Sequence, residues 1–183
     1  MTQPVGWPGM RDEELLIAVA NTAHGEHDEF ADARSVRAWW STVGAAVPSK
    51  RGRAGTPDSV GTLRDLRTLI RDLALRNNGI EADLDRPSEV DALTLRLDLR
   101  GTPSLRADTP GDLVRDICAA TVAALMRATA RPSWPRVKAC RGNDCRWVFI
   151  DGSRNTSRRW CDMANCGNRA KIATFRARHR TTA

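Results

Sequence analysis

The chain has 183 residues, 41% hydrophobic and 28% charged. That is the composition of neither a disordered tail nor a membrane protein, and the length suits one domain or a main domain with a small second one. The longest uncharged apolar runs, residues 15–20 and 117–126, fall well short of the roughly 20 residues that a membrane-spanning helix needs, and residues 1–14 lack the basic start and apolar core of a signal peptide, so a cytoplasmic location is expected.

The net charge of +7 is unevenly spread. Residues 131–183 hold 13 Lys and Arg against only Asp144, Asp151 and Asp162, a local net charge of +10, while the rest of the chain carries −3. A mildly acidic body with a strongly basic end is the asymmetry expected where one end meets a polyanion such as nucleic acid. Only Lys50, Lys138 and Lys171 are lysines, so the preference for arginine runs through the whole chain. The local scarcity of acids is therefore the better evidence.

In chain order, Asp12, Glu13 and Glu14 precede the apolar run 15–20 and then Asn21-Thr22, which reads as a short buried helix with acids at its positive end. A polar loop follows. Its His24-Gly25-Glu26-His27-Asp28 is not an HExxH arrangement, and no second metal site is expected there. Val36, Trp39, Trp40 and Val43 recur at helical spacing and predict a second helix with two tryptophans on one side. Residues 48–57 form a basic loop. Thr56-Pro57-Asp58 supplies a cap and a first-turn proline for a third helix, whose Leu63, Leu66, Leu69, Ile70 and Leu73 run to Asn77-Asn78-Gly79.

The period then changes. Leu93, Leu95, Leu97 and Leu99 alternate with polar residues and predict a half-buried strand, with a hairpin through Gly101-Thr102-Pro103 into residues 104–108. Thr109-Pro110-Gly111-Asp112 predicts a cap, with Thr109 leading, for a helix through Leu113, Ile117, Thr121 and Leu125 that ends before Pro132. Cys118 lies on its apolar side and reads as a core thiol. The expected architecture is mainly α with a small β element: a multihelical domain over residues 1–131 and a separate small domain over 132–183.

The small domain carries the sharpest signal. Cys140-x4-Cys145-x15-Cys161-x4-Cys166 can gather four thiolates around one tetrahedral ion, and zinc is the natural occupant. The alternative is two disulfides, which needs an oxidising compartment. A piece of 52 residues is too small to rely on an apolar core, so a staple is expected. With all four positions taken by protein sulfur, such a zinc is structural and leaves no site for substrate. Arg146-Trp147-Val148-Phe149-Ile150 is β-prone, and the residues after Cys166 read as a helix. On it Ile172, Phe175 and His179 share one face, an apolar stripe that can pack on the finger, flanked by a ridge of Arg169, Arg176 and Arg180 and a second of Lys171 and Arg178. With Arg158 and Arg159, these seven cations are the candidate nucleic-acid residues. Trp134, Trp147 and Trp160 could stack on bases but are expected to build the small core.

Cys166-Gly167-Asn168-Arg169, together with Trp147-Val148-Phe149-Ile150-Asp151, Ser153-Arg154-Asn155 and Ser157-Arg158-Arg159-Trp160-Cys161, resembles the CGNR zinc finger family over residues 134–180. The resemblance implies that the four cysteines bind one zinc and that a treble-clef-like basic finger contacts DNA. In that family the finger usually follows a domain called ABATE, in stress-induced transcription regulators of bacteria. Ala18-Val19-Ala20-Asn21-Thr22 and Leu63-Arg64-Asp65-Leu66-Arg67 are similar to that domain's recognisable stretches.

In the body, Asn21 and Thr22 either cap the first helix or line a polar pocket. Arg64, Arg67 and Arg71 share one helical side and need an acidic neighbour, such as Asp65, Asp72 or one from another helix, or else an anionic ligand. Asn21, Thr22 and Arg67 are the candidate ligand residues. No phosphate loop, nucleophile elbow or catalytic carboxylate pair is visible, and no enzymatic activity is expected. The function expected is transcription regulation through DNA, with a small anionic ligand or protein as input and a homodimer as one way to extend the site. A protein-binding adaptor and an RNA-binding protein are the alternatives.

Overall fold

The computed structural model describes residues 10–43, 57–85, 88–100, 103–108 and 111–180. The expectations for the basic loop up to residue 56, for the Thr56 cap, for Gly101-Thr102 and for Thr109-Pro110 lie outside the described residues. Among the described residues, no helix is long and apolar enough to cross a membrane. Helix dominates, accompanied by small antiparallel strand pairs.

The chain forms two compact units, residues 1–70 with 84–132 and residues 71–83 with 133–183. The segment 71–83, which a linear cut at residue 131 assigns to the body, groups with the finger.

In the first unit, α1 (Asp12–Ala20), α2 (Ala33–Thr42), the first part of α3 (Pro57–Asn77) and α4 (Leu113–Thr129) supply the core. Leu16, Val19, Phe30, Val36, Trp40, Leu63, Leu66, Ile70, Val114 and Ile117 are all fully buried. The helical periods read from the sequence therefore mark the buried faces. The α1 start is tied to the α4 end by Asp12, whose buried carboxylate accepts from Arg127 at 2.6 Å and Arg131 at 2.6 Å. An acid at a helix N-terminus thus meets arginines at and just beyond a helix C-terminus, where both charges also oppose the helix dipoles.

Three antiparallel strand pairs are present among the described residues, two of them in the first unit against the one small sheet expected there. β1 (Ala23–His24) and β2 (His27–Asp28) turn through Gly25-Glu26 in what the sequence offers as a polar loop. Two-residue turns of this kind leave little hydrophobic pattern to read. β3 (Leu95–Asp98) pairs with β4 (Ser104–Ala107), Leu95 opposite Ala107 and Leu97 opposite Leu105. The alternating leucines do not form a buried face: Leu97 is 63% and Leu99 66% exposed. Burial is greatest at the Leu95/Ala107 end of the hairpin and fades towards its turn, so among the described residues no layer covers the later leucines. Residues 89–92 form a 3-10 turn instead of extending the strand, held by Asp65, which accepts from Ser88 Oγ at 3.0 Å and Glu89 N–H at 2.7 Å. The cap of α4 is Asp112, accepting from the N–H groups of Val114 and Arg115. Its short carboxylate stands next to the first helical residue, the position a cap requires.

In the second unit, β5 (Val137–Ala139) pairs with β6 (Val148–Ile150), and a single π-helical turn over Met163–Gly167 leads into α5 (Asn168–Arg180). The β-prone stretch before Ile150 and the helix after Cys166 appear as read; β5 had no hydrophobic period to reveal it.

Candidate metal centre and basic helix

Cys140 leaves β5 with its N–H bonded to Trp147 O at 2.8 Å, and the chain turns back through Cys145 N–H to Gly142 O at 3.1 Å. The turn brings Cys145 beside Cys140 and ends with Arg146 at φ 54, a left-handed residue. Gly142 sits against the sulfurs. A Cβ there would stand 3.1 Å from Cys145 Cβ and 3.6 Å from the sulfurs of Cys140 and Cys166. Cys161 and Cys166 approach from the other side, Cys166 on the π-helical turn that Asp162 caps through the Ala164 N–H at 2.8 Å.

The four sulfurs of Cys140, Cys145, Cys161 and Cys166 lie within 4.8 Å of one another, with Cys145 to Cys161 at 3.5 Å and Cys161 to Cys166 at 3.8 Å. A tetrahedron of sulfurs around zinc has edges of roughly 3.8 Å, given Zn–S bonds of about 2.3 Å. Disulfide sulfurs stand at about 2.05 Å, so the pairing alternative does not describe this cluster. Among the described residues it is the one gathering of three or more Cys, His, Asp or Glu ligand atoms. His24 and His27 are exposed and bring no third donor with them.

Residues 136–179 match the CGNR zinc finger family. The four cysteines of this CGNR finger are positioned to bind one structural zinc ion. Among curated proteins the chain has no match.

The family's four-letter signature has a physical reading here. Cys166 is a ligand position; Gly167 leaves room where a Cβ would overlap the Met163 thioether and press on Trp160 Cδ1 at 3.3 Å. Asn168 donates to Ala164 O at 2.9 Å, and Arg169 donates to Cys166 Sγ at 3.3 Å. Burial pushes the Cys145 and Cys161 thiols up. The same burial acts on Cys166, yet the Arg169 bond and the neighbouring sulfurs hold that thiol below its ordinary range. Phe149 packs on Cys140 and Cys166, and Trp160 lies against them, the small-core role expected of a tryptophan in so small a domain.

Several structural residues of the finger escape a reading by motif. Lys138 and Asp151 form a buried ion pair at 2.8 Å, and Lys138 Nζ also donates to Thr156 O at 2.6 Å and Arg158 O at 3.3 Å. Asp151 further accepts from Ser153 N–H, Ser153 Oγ and Arg158 N–H. Burial alone would raise its carboxyl, but these donors outweigh it and hold the group well below the usual carboxylate range. At the end of α3, Asn77 Nδ2 donates to Trp134 O and Val137 O, Asn78 Nδ2 to Ala139 O and Arg159 O, and Arg141 returns bonds to Asn78 O. Two asparagines that read as a helix stop are thus the stitching of the finger backbone. The available signal was Lys138 itself, one of three lysines in an arginine-rich chain.

The candidate nucleic-acid residues divide. Arg158 lies 4.6 Å over the Phe149 ring, with its guanidinium on Trp160 O and Cys161 O. It braces the metal-binding loop. Arg169 is bonded to Cys166. Both side chains are exposed all the same, as are those of Arg159, Lys171, Arg176 and Arg178; that of Arg180 lies outside the described residues. The apolar stripe of α5 does not pack on the finger as expected: Ile172 is 50% and Phe175 62% exposed, and Phe175 meets His179 with ring centroids 4.0 Å apart. The helix continues beyond the small core, and among the described residues no further layer covers it. A groove lined by Trp160, Gly167, Ala170, Lys171, Thr174, Phe175 and Arg178 runs along most of its length.

In the body, Thr22 and Arg67 come together, but with an internal anion. Arg67 is bidentate to Asp28 at 2.5 and 3.1 Å, donates to Thr22 Oγ1 at 3.3 Å and lies 5.5 Å over Phe30. Thr22 Oγ1 in turn donates to Val19 O, and Asn21 is the C-cap of α1. Arg64 donates to Phe30 O and Ala31 O. The acidic neighbour of Arg67 in the arginine row is a hairpin residue, Asp28.

Proposed function

We propose that this protein is a cytoplasmic DNA-binding transcription regulator without enzymatic activity. A helical, ABATE-like body takes a regulatory input, and a treble-clef-like zinc finger meets duplex DNA through α5. The observation that carries the reading is the exposed basic surface on a zinc-stabilised scaffold: Arg159, Lys171, Arg176 and Arg178 all face solvent in the piece whose local net charge is +10. Arginines and lysines held on a rigid element neutralise phosphates and fix the protein's register on the duplex. Arg158 and Arg169, although exposed, are bonded within the finger, and these four are assigned as the phosphate contacts. Sequence specificity from one such helix is modest, and a homodimer would add a second half-site. The resemblance of residues 18–22 and 63–67 to ABATE supports a stress-related input to the body. A small anion at Thr22 and Arg67 would have to displace Asp28, which favours a protein partner as that input.

The deciding experiment is selection of genomic fragments by the zinc-loaded full-length protein at near-physiological salt with excess heparin. A recurring sequence is the expected result, since only a specific site survives polyanion challenge. Recovery of background alone would overturn the reading.

The exposure of Ile172 and Phe175 beside Lys171 and Arg178 favours one second reading, an adaptor whose α5 docks on an acidic amphipathic partner. Retention of an acidic protein in heparin, with no DNA recovered, would select it. Single-stranded RNA outcompeting duplex would select RNA binding instead.

A further inference from the structure

We infer that Arg169 is a positioning residue of the zinc centre, donating to the Cys166 thiolate, and is not part of the polyanion-binding surface. This goes beyond the DNA-binding reading and rests only on the metal site. A zinc bound by four thiolates carries a formal charge of roughly −2, which a small domain must offset with hydrogen-bond donors close to sulfur. Cys140 and Cys166 are the two buried ligands, at 0% and 5% exposure, and are therefore poorly placed to recruit water. Each has an N–H donor from the chain: Gly142 N–H stands 3.4 Å from Cys140 Sγ, and Arg169 Nη2 3.3 Å from Cys166 Sγ.

The placement follows from helix geometry. Arg169 is three residues beyond Cys166, in the first turn of α5, and helical side chains lean back towards the N-terminus. A residue at that spacing covers the sulfur one turn earlier. Arg176, two turns further along α5, is carried away from the cysteines and serves as the matched control. Arg158 engages the backbone carbonyls of Trp160 and Cys161, so it steadies a ligand-bearing loop without touching sulfur. Two cations that a sequence places among phosphate contacts thus act on the metal centre from different sides.

The test uses the full chain with Arg169→Gln, Arg169→Lys and Arg176→Gln. Zinc affinity is read by competition with a chromophoric chelator at fixed pH, and the cobalt-substituted protein reports the sulfur-to-metal charge-transfer band. Arg169→Gln should lower zinc affinity by about 10–100-fold, the usual effect of removing an outer-shell partner. It should also move the charge-transfer band to lower energy, because the sulfur lone pairs lose a stabilising donor. Arg169→Lys should fall between, keeping the charge but not the planar fork, and Arg176→Gln should keep the parent's zinc affinity and charge-transfer band, whatever it does to DNA binding. If the glutamine variant binds metal too weakly to fold, the lysine variant decides: a reduced affinity with a shifted band supports the assignment. Parent affinity and an unshifted band in the variant that decides would overturn it. A loss of DNA affinity in Arg169→Gln with both metal readouts unchanged would return the residue to the nucleic-acid surface.

Discussion

Lys138 Nζ stands 2.8 Å from Asp151 Oδ2, and both side chains are buried beneath the loop that carries Arg158 into the metal-binding half of the finger. Nζ spends its three N–H bonds on Asp151, Thr156 O and Arg158 O, the full donor capacity of an ammonium group. Lys138→Met would leave the Asp151 carboxylate buried without its counter-charge, a loss of about 3–5 kcal/mol where such pairs are broken one-sidedly. Lys138→Arg should not rescue, because a planar fork cannot direct three bonds at three oxygens gathered around a point. The check is the thermal midpoint of the zinc-loaded finger. Midpoints within a degree of the parent for Lys138→Met would show that the pair contributes nothing.

In the body, the Asp28–Arg67 pair makes a pH-dependent contribution whose sign is fixed. Burial pushes the Asp28 carboxyl up, but the Arg67 bonds, the Phe30 N–H and the charges of Arg67 and Arg64 outweigh it, so the group is lowered. A carboxyl lowered by folding stabilises the native state above its unfolded value of about 3.9 and loses that contribution as pH falls below it. Asp28→Asn should therefore cost about 1–2 kcal/mol at pH 7, discounted for the part-exposed carboxylate. The gap between variant and parent should begin to close as pH falls through about 4 and vanish only once pH has passed the lowered value of the folded state. Urea unfolding at three pH values measures it; a gap that widens on acidification would reverse the assignment.

The five cysteines should react in two classes. Native mass spectrometry should find one zinc per chain. Chelation should then open the finger and release four fast-reacting thiols, since metal binding in a domain this small is coupled to its folding. Cys118 should stay unreactive until the body unfolds, because it is fully buried and burial pushes its thiol up to about 12. Five fast thiols after chelation would mean that the body unfolds together with the finger.

What was legible in the sequence was periodic or chemically rare. The buried faces of α1 to α4 follow their apolar spacing, and the cysteine pairs announce a tetrahedral site before any geometry is known. What was not legible depends on tertiary contacts of common residues. Asn77-Asn78 reads as a stop signal because asparagine favours helix ends, and nothing local reveals that both amides reach carbonyls some 60 to 80 residues away. The leucine alternation of residues 93–99 has the right period for a half-buried strand, but period cannot say whether a second layer exists to cover Leu97 and Leu99. Arg158 and Arg169 show the same limit for charge. An arginine beside a zinc ligand and one beside a phosphate look alike in a sequence, and in the proposed reading it is the bonds to Cys161 O and Cys166 Sγ that separate them.

That separation gives the proposed interface a graded signature. Log–log plots of DNA affinity against salt lose about 0.9 in slope for each phosphate contact removed. Arg159→Gln, Lys171→Gln, Arg176→Gln and Arg178→Gln should each flatten the plot by up to that amount while leaving the finger's thermal midpoint near the parent's, since their side chains are exposed. Arg158→Gln should do the reverse. Arg158 is exposed as well, but the substitution removes the cap over Phe149 and two bonds to the carbonyls of Trp160 and Cys161, so it should lower the midpoint and leave the slope of the surviving folded protein unchanged. Phe175→Ala gives a third pattern. The ring is 62% exposed, so stability should hold, and any loss of affinity should be independent of salt because no counterion is released with it. Fluorescence anisotropy on one duplex at four salt concentrations measures all three patterns. An unchanged slope across the four exposed cations would move the interface off α5, and a flattened slope for Arg158→Gln would show that its guanidinium leaves the carbonyls for phosphate on binding.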